Sequence, residues 1–409
     1  MEKNQAIKNV LLIFLSATFS LAIIEGFLAW RPELQARRPF EDFVFCAGAP
    51  QEGQSHDLFG WTAVPEGAYF VEKNDADGWV VYINNAEGFR DLYDSGSQHT
   101  IVLGDSFAAG SNANNDEAFP HLLDLWNSDM AFHNFGVGGY GSGNSLSVYE
   151  FVSSRIPHEL VILAYFLGND LRDNLEYHDQ RRHLMPPREA NSGGWYDTLK
   201  NINSTVRQFS RSYNLLYEVV RPRFGDKELA REEIERGVDI TDEILSRLAI
   251  AVGSNNADLL IVMLPSWNQI NNYSGNNEEE QQRILINKLE DKMEHVYVLD
   301  VKQDIESVGV NQFYGVVDKH LSSFGYYTMA RVIHDWINFN WPRGPRAERY
   351  VAPFQPRAAS VHPDCSLMAE HREAFANSEA SRRELTAQRG VPPTAPSGAR
   401  DPHEDRPPP

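Results

Sequence analysis

The chain has 409 residues, of which 42% are apolar and 23% charged; this suits a protein with a buried core and excludes a fibrous or wholly disordered one. Asp and Glu (57) outnumber Lys and Arg (37), and the resulting net charge of -20 predicts no nucleic-acid partner, because phosphate backbones would be repelled. The two cysteines, Cys46 and Cys365, lie more than 300 residues apart and make neither a disulfide framework nor a zinc spacing; we expect two unpaired thiols, with a single bridge as the alternative.

The N-terminal segment is apolar. Val10–Trp30 contains a single charged residue, Glu25, and follows Lys3 and Lys8. Its length is that of a bilayer-spanning helix, and its position favours a membrane segment over a buried core helix. No clean Ala-x-Ala-like cleavage site follows. We therefore expect residues 1–30 to be an uncleaved signal anchor in the cell membrane, with the rest of the chain outside the cytoplasm, although arginines directly after the run oppose a simple positive-inside assignment.

Residues 31–98 predict a linker and a small β-rich lead-in. Within it, Trp79–Ile83 (WVVYI) has the β-branched and aromatic composition of a strand. The residues that follow, Asn84–Gly88, have the composition of a turn.

Residues 99–341 have the pattern of an α/β domain. Short apolar runs alternate with longer helical stretches, which predicts strands covered on both faces and therefore a parallel sheet. The sequence thus predicts a three-layer α/β/α sandwich with a five-stranded parallel sheet. The five predicted strands are Thr100–Leu103, Ala131–Phe135, Leu160–Phe166, Leu259–Met263 and Val296–Leu299.

Two further segments surround this pattern. Residues 171–257 form an insertion with helical patterns over Tyr196–Val220 and Lys227–Val252; these helices either cover the site or lie on the sheet surface. Residues 342–409 contain 12 of the 22 prolines and no lysine or isoleucine. Such a composition cannot bury enough apolar surface to fold, so we predict a disordered Pro/Arg-rich tail.

Polar residues and glycines follow the predicted strands. In open parallel sheets, ligands bind beyond the carboxyl ends of the strands, so these residues are expected at one rim. They include Gly104-Asp105-Ser106 after the first strand, the glycine-rich Asn134–Gly141 after the second and Gly168-Asn169-Asp170 after the third. Asp318-Lys319-His320 precedes the last helix.

This set suits acyl transfer to a serine. The Ser106 hydroxyl needs a base, which His320 can supply, and Asp318 can orient the imidazole. An oxyanion needs preorganised donors, for which the Ser106 N–H, the Gly139 N–H and the Asn169 amide are the candidates. Each element alone has a common structural explanation: a lone serine after a strand, for example, is usually a helix N-cap. Together, and in this order, they favour a catalytic site.

The four blocks resemble the SGNH (GDSL-type) hydrolase superfamily: Gly104-Asp105-Ser106, Gly139, Gly168-Asn169-Asp170 and Asp318-Lys319-His320. Over about residues 55 to 340 the chain looks similar to membrane-anchored bacterial members. The resemblance implies a flavodoxin-like fold, no metal or organic cofactor, and an esterase, lipase, deacetylase or acyltransferase activity. One departure is the short spacing from Asp318 to His320, where many members have one residue more, although the shorter spacing also occurs in the superfamily. A second is Lys319, where glycine is common; its side chain either adds charge near the site or points to solvent.

The combined prediction is a serine esterase that acts on acetyl or acyl esters of envelope or extracellular carbohydrate or lipid. The alternative keeps the fold and makes the protein a membrane-bound O-acyltransferase or a carbohydrate-binding accessory protein in polysaccharide modification. A dinucleotide fingerprint, Gly136-x-Gly138-x-x-Gly141, is weak on its own and follows the second strand rather than opening the fold.

Overall fold

The computed structural model describes the larger part of the chain. All described residues belong to the compact unit Met1–Cys365. The described residues are 2–31, 43–45, 54–56, 59–63, 65, 68–72, 79–91, 98–127, 129–180, 210–213, 215–216, 229–271, 277–315, 319–344, 351 and 353–354.

An N-terminal helix, Glu2–Trp30, covers the predicted anchor. Near its end, Glu25 accepts hydrogen bonds from the hydroxyls of Ser210 and Ser212, both at 2.6 Å, so this helix contacts the insertion. Among the helices that the structure describes, none combines the length and apolarity required to cross a membrane.

The lead-in is made of short antiparallel strands. β1 (Phe43–Phe45), β4 (Ala68–Glu72) and β5 (Trp79–Ile83) form one sheet, and β2 (Gln54–His56) pairs with β3 (Gly60–Thr62). The strand predicted over Trp79–Ile83 is present with the same bounds.

The central sheet has five parallel strands, as predicted. Their order is β10-β9-β8-β6-β7, so that the first strand in sequence lies between the second and the third. This is the flavodoxin-like order, and its switch point lies between β6 and β8. The strands are β6 (Gln98–Gly104), β7 (Met130–Asn134), β8 (Leu160–Phe166), β9 (Asp258–Leu264) and β10 (Val296–Asp300).

Helices cover both faces of this sheet. Successive side chains of a strand point to opposite faces, so Ile101 belongs to the core under the helix Arg231–Ser254, whereas Val102 belongs to the core under Ser323–Phe339. The helices beyond the N-terminal one are Ser106–Ala109, Phe119–Trp126, Ser142–Val152, Asp170–Gln180, Arg231–Ser254, Trp267–Ile270, Asn277–Lys292, Lys302–Val308, Val310–Phe313 and Ser323–Phe339.

The two flanking segments are described in part. In the insertion, the helix Arg231–Ser254 buries Ile244, Leu248 and Val252 against the sheet. This agrees with the predicted alternative of a helix that lies on the sheet surface. Most of the other helical pattern, over residues 196–220, lies outside the described residues. Most of the predicted tail also lies outside them, but Phe354 packs with its ring centroid 5.1 Å from that of Phe324.

Candidate active site

Ser106 lies at the carboxyl end of β6, at the start of a four-residue helix. Gly104 has a φ of +143°, and a Cβ there would lie 2.7 Å from the Ala164 carbonyl oxygen, so only glycine lets the chain turn this close to β8. The Asp105 carboxylate then accepts a hydrogen bond of 2.9 Å from the Phe107 N–H and caps the helix. The result is a half-buried serine at the switch point of the sheet.

His320 faces this serine. Its Nε2 lies 2.8 Å from Ser106 Oγ, although 214 residues separate them in sequence. The loop that carries His320 is closed by a β-bridge between Tyr314 and Leu321, and the Gly315 N–H donates to the His320 carbonyl oxygen at 2.7 Å. The hydroxyl and the imidazole are therefore in place for proton transfer.

Two residues beside His320 bear on its orientation. The Phe107 ring lies against the imidazole, with centroids 5.2 Å apart. Lys319 has a φ of +63°, and its Nζ lies 4.1 Å from the centroid of the Trp267 ring, a cation–π contact that the sequence did not predict. Asp318, the predicted triad acid, lies outside the described residues.

Gly139 belongs to an exposed turn after β7. It has a φ of +81°, and the Tyr140 N–H donates to the Val137 carbonyl oxygen at 3.1 Å to close the turn. A Cβ on the preceding Gly138 would lie 3.9 Å from Ser106 Cβ. The turn that bears Gly139 thus lies directly beside the serine.

Asn169, the remaining predicted donor, follows β8. Its backbone carbonyl accepts hydrogen bonds from the N–H groups of Arg172 (2.8 Å) and Asp173 (3.0 Å), so it begins the helix after β8. Its side chain is half-buried and lies beside Asp105. The structure therefore brings Ser106, Gly139, Asn169 and His320 to one rim of the sheet.

Two buried carboxyl groups lie below this rim. Burial raises the pKa of Asp105 to about 6, against the opposing effects of the Phe107 N–H, the charge of His320 and the Asn169 side chain. Burial raises the pKa of Asp170 well above its usual range, and the charge of Asp105 adds to this shift. Asp105 is therefore ionised above a pH of about 6, whereas the protonated form of Asp170 persists to higher pH than that of an exposed aspartic acid.

Arg90 is a residue of the site region that the sequence reasoning did not single out. Its side chain is buried, and Nη1 donates to the carbonyl oxygens of Ala109 (2.8 Å) and Gly110 (2.7 Å). Its Nη2 donates to the Ala113 carbonyl oxygen at 3.0 Å and to Asn115 Oδ1 at 2.7 Å. A single guanidinium from the lead-in thus holds the chain that follows Ser106.

An aromatic ring and a closed turn hold Arg90 in its buried position. Its guanidinium carbon lies 4.1 Å from the centroid of the Tyr82 ring. The turn before it is closed by hydrogen bonds from the Glu87 and Phe89 N–H groups to Asn85 Oδ1. The signal available in the sequence was the segment Asn85–Asp91 (NAEGFRD), whose likeness to the lead-in of superfamily members does not by itself identify a partner for Arg90.

The sequence matches no protein-family model and no curated protein. Solved structures with a similar backbone include the esterase EstA from Pseudoalteromonas sp. (13% identity, 58% of this chain and 96% of that chain, TM-score 0.35). Others are a member of the lipolytic protein G-D-S-L family from Veillonella parvula DSM 2008 (13%, 58% and 96%, 0.34) and the lipase/acylhydrolase from Enterococcus faecalis (12%, 59% and 95%, 0.37).

Proposed function

We propose that the protein is a serine ester hydrolase of the SGNH type. The observation that carries this proposal is the 2.8 Å contact between Ser106 Oγ and His320 Nε2 at the rim where Gly139 and Asn169 also lie. A hydroxyl, an imidazole and several N–H donors in one half-exposed site are the groups that acyl transfer requires.

In the proposed mechanism, Ser106 Oγ attacks the ester carbonyl carbon while its proton passes to His320 Nε2. The N–H groups of Ser106 and Gly139 and the Asn169 amide stabilise the resulting oxyanion. Collapse of the tetrahedral intermediate breaks the bond to the alcohol, whose oxygen takes the proton from His320. Water then attacks the acyl-enzyme and gives a proton to His320. Collapse of this second tetrahedral intermediate breaks the bond between the acyl carbon and Ser106 Oγ, which takes the proton back from His320, and the carboxylic acid is released. We assign to Asp318 the orientation of His320, as the resemblance implies.

The test is hydrolysis of p-nitrophenyl acetate by the full chain, with Ser106→Ala as the variant and Ser147→Ala as the matched control. Ser147 is half-buried on the helix Ser142–Val152, where its hydroxyl contacts Tyr177. We expect Ser106→Ala to lose hydrolysis and labelling by a fluorophosphonate, and Ser147→Ala to retain both. Near-normal turnover by folded Ser106→Ala would refute the proposal.

We further propose that the physiological substrate is an acetyl or acyl ester of envelope or extracellular carbohydrate or lipid, and that the N-terminal helix holds the enzyme at the cell membrane. Both statements come from the sequence and its resemblance, and both stay predictions. Fractionation of cells that produce the full chain tests the second one. Recovery of intact protein in the soluble fraction would contradict it.

A further inference from the structure

An indole ring from the lead-in lies beside the glycine of the proposed oxyanion site. A Cβ on Gly139 would lie 3.5 Å from Cζ2 of Trp61, which belongs to β3. Gly139 is exposed and Trp61 is half-buried, so both are open to a bound molecule. A substrate carbonyl held at Gly139 therefore lies within reach of the indole.

Two contacts hold Trp61 against the turn that contains Gly139. The buried Tyr140, next to Gly139, donates its hydroxyl hydrogen to the Trp61 carbonyl oxygen, and the two rings meet edge to face with centroids 5.1 Å apart. The neighbouring Phe59 carbonyl oxygen accepts from Asn144 Nδ2 at 3.0 Å. The indole is thus a rigid wall rather than a surface side chain free to rotate away.

The strand order decides which part of the ester this wall meets. Gly139 follows β7, on one side of Ser106, whereas β8 and β9 lie on the other side. His320 approaches from the β9 side, because the adjacent Lys319 contacts Trp267, which follows β9. The imidazole must protonate the leaving oxygen, so the alcohol part of the ester lies on the His320 side. The acyl part then points in the opposite direction, towards Trp61.

We propose that Trp61 forms the end wall of the acyl subsite and restricts the enzyme to short acyl groups, with acetyl preferred over long chains. This inference rests on the proposed function. Its size limit follows from the turn itself: a Cβ on Gly138 would lie 3.9 Å from Ser106 Cβ, and a Cβ on the next residue, Gly139, would lie 3.5 Å from Trp61 Cζ2. Only the two glycines of this turn therefore separate the Trp61 indole from Ser106.

The experiment compares kcat/KM of the full chain for p-nitrophenyl acetate, butyrate and octanoate, which keeps the leaving group constant. We expect the octanoate-to-acetate ratio to rise about tenfold or more in Trp61→Ala, because each methylene accommodated by an apolar pocket is worth at least about tenfold. Trp61→Phe, which keeps an aromatic ring against Tyr140, is expected to give a smaller rise, and it carries the test if Trp61→Ala does not fold.

Trp267→Ala is the matched control, because it removes an indole on the alcohol side and is expected to leave the ratio unchanged. An unchanged ratio in folded Trp61 variants that still hydrolyse acetate through Ser106 would overturn the inference and leave the proposed function standing. A wild-type enzyme that prefers octanoate would also overturn it. Absence of any hydrolysis that depends on Ser106 would overturn the proposed function as well.

Discussion

Removal of the Arg90 guanidinium is expected to slow catalysis in a protein that still folds. The group donates to three main-chain carbonyls between residues 109 and 113 and to Asn115, and Arg90 is only 8% exposed. Leaving a buried hydrogen-bond acceptor without its donor costs about 1–3 kcal/mol, a large share of the roughly 5–15 kcal/mol that stabilises a typical domain. The variant should therefore be less stable but still folded at low temperature.

The catalytic effect comes from the position of Ser106. The carbonyls that Arg90 holds belong to residues three to seven positions after the serine, and Ser106 itself accepts from the Gly110 N–H at 3.1 Å. A displacement of about 1 Å at a reacting group can cost about a hundredfold in rate. We therefore expect Arg90→Ala to lower kcat for p-nitrophenyl acetate about 10- to 100-fold with little change in KM, and Arg90→Lys to fall between it and the wild type.

The assay is steady-state kinetics at a temperature where circular dichroism shows each variant to be folded, with and without millimolar methylguanidinium. Partial recovery of kcat in Arg90→Ala is expected on addition of the guanidinium compound. Arg155→Ala is the control: Arg155 also contacts an aromatic ring (3.7 Å from Phe151) and a carboxylate (2.8 Å from Glu87), but on the surface. A folded Arg90→Ala enzyme with wild-type kcat would refute the reasoning, since the arginine would then contribute stability alone.

Two further predictions concern the rim and the buried carboxyl groups. Asn169→Ala is expected to lower kcat about a hundredfold or more at little change in KM, because an oxyanion donor acts on the transition state; a change confined to KM in steady-state kinetics would contradict this. Burial raises the pKa of the Asp170 carboxyl in the folded protein above its value in the unfolded chain. The carboxyl therefore adds to the free energy of unfolding at pH values below its pKa in the unfolded chain, and this contribution is lost as the pH rises through its pKa in the folded protein. Asp170→Asn should therefore be more stable than the wild type at alkaline pH, and melting curves between pH 6 and 9 that show the same pH dependence for both proteins would contradict this.

Much of the sheet could be predicted from the sequence because its strands are continuous apolar runs. Leu160–Phe166 has the same bounds in the prediction and in the structure, and the other four strands differ by at most two residues at either end. The rim residues could be placed for the same reason: Ser106 and Asn169 directly follow buried strands, and parallel strands end at one edge.

Other features depend on contacts that no local pattern contains. Arg90 and Trp61 both come from the lead-in, and each finds its partner many residues later, at Gly110 and Gly139. The contact between the Phe107 and His320 rings likewise joins two segments that only the folded sheet brings together. A single sequence shows the residue types but not these pairs.

The 214-residue separation of Ser106 and His320 has a consequence for biosynthesis. At about 5–20 residues per second, a ribosome needs on the order of ten to forty seconds to extend the chain from Ser106 to His320. During that interval the nascent chain carries a serine without its general base, and therefore lacks the proposed activity. Contacts between residues that lie far apart in sequence also form slowly during folding. We therefore expect the proposed esterase activity to appear only after the helix Ser323–Phe339 has been synthesised and the domain has folded.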